Sequence, residues 1–157
     1  MAVFVLIPVI VQSYKWLRVW HNEKANPPDL PRNAILTFKR FKEAYDSKNI
    51  NKLSQVISVS YKGDIYGVKS KKEFLDIQNS VFKTLPWGVY PCLTINVYSI
   101  IKDTSTTFSA IIDTHSIATI LGVPTVAYDS APIRCKIISE NGLWVISEML
   151  VEWQLID

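Results

Sequence analysis

Three segments with helical periodicity are crowded into residues 34–86, and every apolar run after them has the composition of a strand. Ile35, Phe38, Phe41 and Tyr45 recur at helical spacing, and Ile50, Leu53, Val56 and Ile57 do so again beyond the break at Ser47-Lys48-Asn49. A brief strand ending at Gly67 is expected next. Ser70 and Glu73 then form a Ser-x-x-Glu capping box for a third helix, whose stripe is Phe74, Ile77, Val81 or Phe82, and Leu85, and which Pro86 stops. Asn33 stands where the N-cap of the first helix is expected.

Beyond Pro86 the pattern changes. Residues 90–101 are dense in β-branched and aromatic side chains, and the polar stretch 102–105 separates them from an equally strand-like run over 106–121. A short strand over 125–128 and two more over 133–139 and 143–151 follow, the last two joined by Asn141-Gly142, a dipeptide suited to the positive φ values of a tight hairpin. Helices first and strands in meander order afterwards, with no alternation of the two, predict an α+β fold in which one face of an antiparallel sheet takes the helices.

The first twenty residues are different in kind. Residues 2–11 are an uncharged apolar run, followed by Tyr14, Lys15, Trp16, Arg18 and Trp20. No basic residue precedes the run and no Ala-x-Ala follows it, which speaks against a cleaved leader. Aromatic and long basic side chains are the residues placed at a bilayer interface, with Phe4, Leu6, Ile10, Trp16 and Trp20 as the contacts. From Ala2 to Tyr14, however, a helix is about 20 Å long, against about 30 Å of hydrocarbon. Two readings stay open: an anchor, which makes the protein membrane-associated, or an element packed on its own domain or on a partner subunit, which leaves it cytoplasmic. Residues 21–32 carry Pro27, Pro28 and Pro31 and read as a semi-rigid linker, so the chain divides into a hydrophobic segment (1–20), a linker (21–32) and a domain (33–157).

With 48% hydrophobic and 20% charged residues, the 157-residue chain has enough apolar material for a core without a metal or disulfide staple. The net charge of +3 comes without aromatic residues interleaved among the lysines, so no nucleic-acid surface is expected. Cys92 and Cys135 lie far apart in strand-like runs and read as small buried residues.

The segment 34–149 resembles the nuclear transport factor 2-like superfamily, in particular its SnoaL-like branch. Three stretches carry the resemblance: Asp46 to Leu53 between the first helices, Gly67 shortly before the helix holding Glu73-Phe74-Leu75, and Gly142-Leu143-Trp144-Val145-Ile146 entering the last strand. The resemblance implies a cone, a strongly curved sheet wrapped around a helix, whose open end is a pocket. It implies either a small-molecule isomerase, dehydratase or polyketide cyclase, or a non-enzymatic binding or assembly module. The enzymes of this group commonly carry an acidic residue just after the second helix, where this chain has Ser58-Val59-Ser60-Tyr61.

Asp113 and His115 lie two apart in a strand, so both side chains leave one face, and a carboxylate there can orient an imidazole for acid–base work. Tyr61, Tyr66, Tyr98 and Trp144 are candidates for the pocket wall. No cofactor and no metal is expected, since His21 falls in the linker and leaves no second histidine to ligate. The favoured reading is a non-enzymatic module with a pocket for a small apolar ligand, joined to a membrane or to partner subunits through residues 1–20 and self-associating through its sheet face. The alternative is an enzyme using Asp113 and His115.

Overall fold

A computed structural model describes residues 29–120 and 123–152, apart from the side chains of Tyr66 and of residues 124–128. The contacts expected of Phe4, Leu6, Ile10, Trp16 and Trp20, and the Pro27-Pro28 part of the linker, lie outside the described residues. Helix α1 spans Arg32–Asp46 and α2 Ile50–Val56. Strand β1 (Ile57–Gly63) and one 3-10 turn (Ile65–Gly67) lead to α3 (Lys71–Thr84). Then come β2 (Val89–Asp103), β3 (Thr107–Ile120), β4 (Val123–Asp129), β5 (Ile133–Glu140) and β6 (Leu143–Val151). This is the α+β order that the sequence predicts.

The helix starts differ from expectation at α1. Its N-cap is Pro31, which makes no side-chain capping bond, and Asn33 lies inside the first turn, where its carbonyl accepts from the Thr37 hydroxyl at 2.7 Å. Proline suits this place because the first N–H groups of a helix have no partner to lose. The buried stripe of α1 is Ala34, Thr37, Phe38, Phe41 and Ala44, with Ile35 exposed. At α3 the Ser70 hydroxyl accepts from the Glu73 N–H at 3.2 Å, and the Glu73 carboxylate accepts from the N–H of Lys69 rather than of Ser70.

The described strands form one sheet in the order β1-β6-β5-β3-β2. Strand β3 is its long axis: β5 pairs with its first half, from Thr107 to Ile112, and β4 with its second, from His115 to Ile120. Asn141 and Gly142, both at positive φ, turn β5 into β6. One expectation is corrected here. The seam between β1 and β6 is parallel, which is open to the first and last strands because α3 and four strands, rather than a hairpin, connect them.

Phe108, Ala110 and Ile112 of β3, Leu93 and Val97 of β2, and Ile133, Cys135 and Ile137 of β5 share the face against the helices. Phe38 of α1 meets Phe108 edge-on at 6.5 Å. A polar clip fastens α1 to β2: Asp46 accepts from the Leu93 N–H at 2.7 Å, while the Lys42 ammonium donates to the Leu93 carbonyl at 2.6 Å and to Asp46 at 2.7 Å. Of the two cysteines, Cys135 is buried in the core but Cys92 is exposed, which corrects the expectation for the latter. Burial and the nearby Glu148 carboxylate push the Cys135 thiol up to about 12, so it is packing material and not a nucleophile.

Candidate functional site

A cavity of about 620 Å³ opens between α1, α3 and the inner face of the sheet. Phe41, Tyr45, Phe74, Ile77, Val81, Leu85, Leu93, Ile133, Met149 and Val151 give it an apolar wall, and Gln78, Thr84, Thr114, Ser116, Asp129 and Ser130 add polar groups. The walls follow from the elements. Helix α3 presents Phe74, Gln78 and Phe82 to the interior at intervals of four, so of the alternatives Val81 and Phe82 it is Phe82 that joins the core, while Ile77 and Val81 are partly exposed beside the cavity.

Gln78 is the residue that periodicity passes over. It is only 4% exposed, and its Oε1 has no hydrogen-bond partner among the described residues. A buried acceptor left unmade costs about 1–3 kcal/mol. The signal was present as the one polar residue at the central position of a Phe-x-x-x-Gln-x-x-x-Phe stripe.

Asp113 and His115 do come together, with Nε2 of His115 3.1 Å from Oδ1 of Asp113. Both are buried. They stand on the face of β3 opposite Thr114 and Ser116, the two β3 residues that line the cavity. The cause is parity: Phe108, Ala110 and Ile112 commit the even-numbered positions of β3 to the helices. What links the pair to the cavity is Asp129 at the end of β4, directly across from His115 in the ladder. Asp129 lines the cavity and its Oδ1 meets Nδ1 of His115. On the far side Asp113 accepts from the Asn96 amide at 2.9 Å and from the Tyr98 hydroxyl. A hydrogen-bonded chain therefore runs from Asp129, a residue of the cavity wall, through His115 and Asp113 to Tyr98, which is 45% exposed.

Burial alone would lower the His115 pKa, but the hydrogen bonds and charges of Asp113 and Asp129 outweigh it and hold the ring above its usual value. The geometry gives the reason. An imidazolium donates one N–H to each carboxylate, whereas a neutral ring would turn a lone pair toward one of them.

The other aromatic candidates have different surroundings. Tyr61 packs on Phe74 with ring centroids 5.3 Å apart, its hydroxyl buried without a partner among the described residues, and burial raises its pKa. Trp144 packs against the core, and its carbonyl accepts from Arg40 at 3.1 Å. Neither these two nor Tyr98 is a wall of the cavity. The side chain of Tyr66 lies outside the described residues. Asp64 accepts from the Val151 N–H at 2.8 Å and so fastens the end of β6. Among the described residues no group of three or more His, Cys, Asp or Glu is placed to hold a metal ion.

No family model and no curated protein matches the chain. Solved structures do. Aln2 from a Streptomyces species superposes with a TM-score of 0.62 at 8% identity, over 78% of this chain and 92% of that one. A protein of unknown function with a cystatin-like fold from Nostoc punctiforme gives 0.55 at 15% identity, over 82% and 98%. A Catenulispora acidiphila protein in complex with S-DNPA gives 0.59 at 13% identity, over 74% and 87%. The fold is a cystatin-like α+β fold with a curved sheet, the fold that the sequence resemblance implies.

Proposed function

We propose that this domain is a binding module that holds a small, largely apolar molecule in the cone, and that residues 1–20 join it to a membrane or to partner subunits. The cavity wall carries the reading. It is large enough for a molecule of two or three rings, and mainly aliphatic and aromatic with a few polar groups, the usual composition of a small-molecule site. Ile77 stands beside the cavity with part of its side chain already in solvent, so Ile77→Trp fills the space without disturbing the core. Titration with 2-methylnaphthalene, followed by heat or ligand NMR, is expected to show saturable binding to the unaltered protein and its loss in Ile77→Trp. Binding that is absent, or unchanged by the tryptophan, overturns the reading.

One observation favours a second reading. Asp129 is one of the residues of the cavity wall and its carboxylate meets His115; in this reading that carboxylate reaches round the end of β4 to take a proton from a bound molecule while the imidazole holds it in place. In this enzymatic reading Asp129 does the work first assigned to Asp113 and His115, which act as positioning residues. Its test needs no natural substrate: the protein would speed deuterium exchange at the carbon next to the carbonyl of 2-tetralone, and Asp129→Asn would abolish the effect. Failure to accelerate exchange leaves the binding module as the function. The outer face of the sheet is the surface proposed for a second copy of the chain, and a strictly monomeric protein in concentrated sedimentation runs after removal of residues 1–20 would dismiss it.

A further inference from the structure

We infer that Gln78 selects the occupant of the cavity: the ligand carries a hydroxyl, or another group that donates a hydrogen bond, on an otherwise apolar body, and that group meets the Gln78 side chain. This rests on the ligand-binding reading above and adds the chemistry of the ligand to it. The residue sits in the middle of α3, between Phe74 and Phe82 on the same face, and lines the cavity. Its Oε1 is enclosed by protein, yet no group among the described residues donates to it. No described group competes for this oxygen and the surrounding wall is aliphatic and aromatic, so once the amide turns its oxygen to the cavity, a donor brought by a ligand meets an acceptor with no protein bond to give up. That is the condition under which a hydrogen bond adds most to affinity. A hydroxyl both donates and accepts, and it satisfies the amide whichever way the oxygen and nitrogen face. An apolar ligand without such a group would fill the space and leave the acceptor unpaired.

Three other candidates carry less. Tyr61 also has a buried hydroxyl without a partner among the described residues, but it is no part of the cavity wall. The indole of Trp87 is exposed in the turn after α3, with nothing to show what covers it. The Asp113–His115–Asp129 cluster satisfies its own hydrogen bonds and belongs to the second reading above.

The experiment compares 2-naphthol with 2-methylnaphthalene, which differ in a hydroxyl and a methyl of similar size, on the unaltered protein and on Gln78→Met. The expected result is that the ratio of the two affinities falls by about tenfold in Gln78→Met, the worth of one hydrogen bond, while 2-methylnaphthalene binds the variant at least as well as before. A melting temperature at or above that of the unaltered protein shows that the variant is folded. As a second measurement on the unaltered protein, the Gln78 side-chain amide resonances are expected to move with 2-naphthol and stay in place with the methyl compound. An unchanged affinity ratio, or amide resonances indifferent to the hydroxyl, overturns the assignment of Gln78 while binding of 2-methylnaphthalene leaves the cavity's function standing. Binding of neither compound removes the ligand-binding reading and this inference together.

Discussion

His115 is enclosed by two carboxylates on the sheet, and its charge couples folding to pH. Its folded pKa is raised above the ordinary 6.5, so the imidazolium stabilises the native state fully below that value, and the contribution is lost as pH rises through the folded pKa. Urea unfolding between about pH 5.5 and 8.5 is expected to show stability declining toward the alkaline end. His115→Gln should flatten that decline, and a slope that survives the substitution would show that another group is responsible. The pairing of Asp113 with His115 was legible because a strand returns to one face every second residue. The face itself was not. Strand β3 has apolar residues on both sides, Ala110 and Ile112 on one and Ile111 on the other, so alternation alone does not say which side meets the helices. Asp129 was hidden for another reason, since its neighbour in space is fixed by the ladder between β3 and β4 and not by any spacing in the chain.

Element ends were legible at Ser70 and at Asn141-Gly142, where a backbone group needs a particular residue, but not at the start of α1, where Pro31 and not Asn33 is the cap. The parallel seam of β1 on β6 was not, because its partners lie some ninety residues apart and carry no turn signal. Gly63 is the point at which that seam closes. A Cβ there would stand 2.5 Å from the Met149 carbonyl oxygen and 2.7 Å from the Tyr61 hydroxyl. Met149 is held by its pairing with Cys135 on β5, so the carbonyl cannot retreat without opening the next pair of strands. Gly63→Ala is therefore expected to destabilise the domain by about 1–3 kcal/mol, as overpacking does. Chemical denaturation measures this, and a variant as stable as the parent would mean that β1 lifts from β6 at little cost. Asp46→Ala tests the opposite end of the inner face. Losing the carboxylate that receives the Leu93 N–H should cost about 1–3 kcal/mol, against a small effect for Lys72→Ala, whose ion pair with Asp76 is exposed.

At the scale of the molecule, the first twenty residues differ in composition from the domain that follows. Among the described residues no helix is long and apolar enough to cross a membrane. Residues 3–11 nevertheless carry eight large aliphatic or aromatic side chains, and burying each is worth about 1.5–3 kcal/mol. Fractionation of the chain with and without residues 1–20 is expected to move it from the membrane or a large complex to the soluble monomer or dimer. A full-length chain that stays soluble without detergent and no larger than the truncated one would end the tethering proposal.

The sheet ends, among the described strands, at β2, fifteen residues long and paired on one side only. Its register slips twice against β3, once between Val97 and Ser99 and again between Ile100 and Lys102. Each slip interrupts the even rhythm of N–H and C=O groups along the open border, and Lys102 adds a charge there. A protein that reached high local concentration, crowded on a surface or within an assembly, would thus offer its neighbours no straight template for growing a fibril.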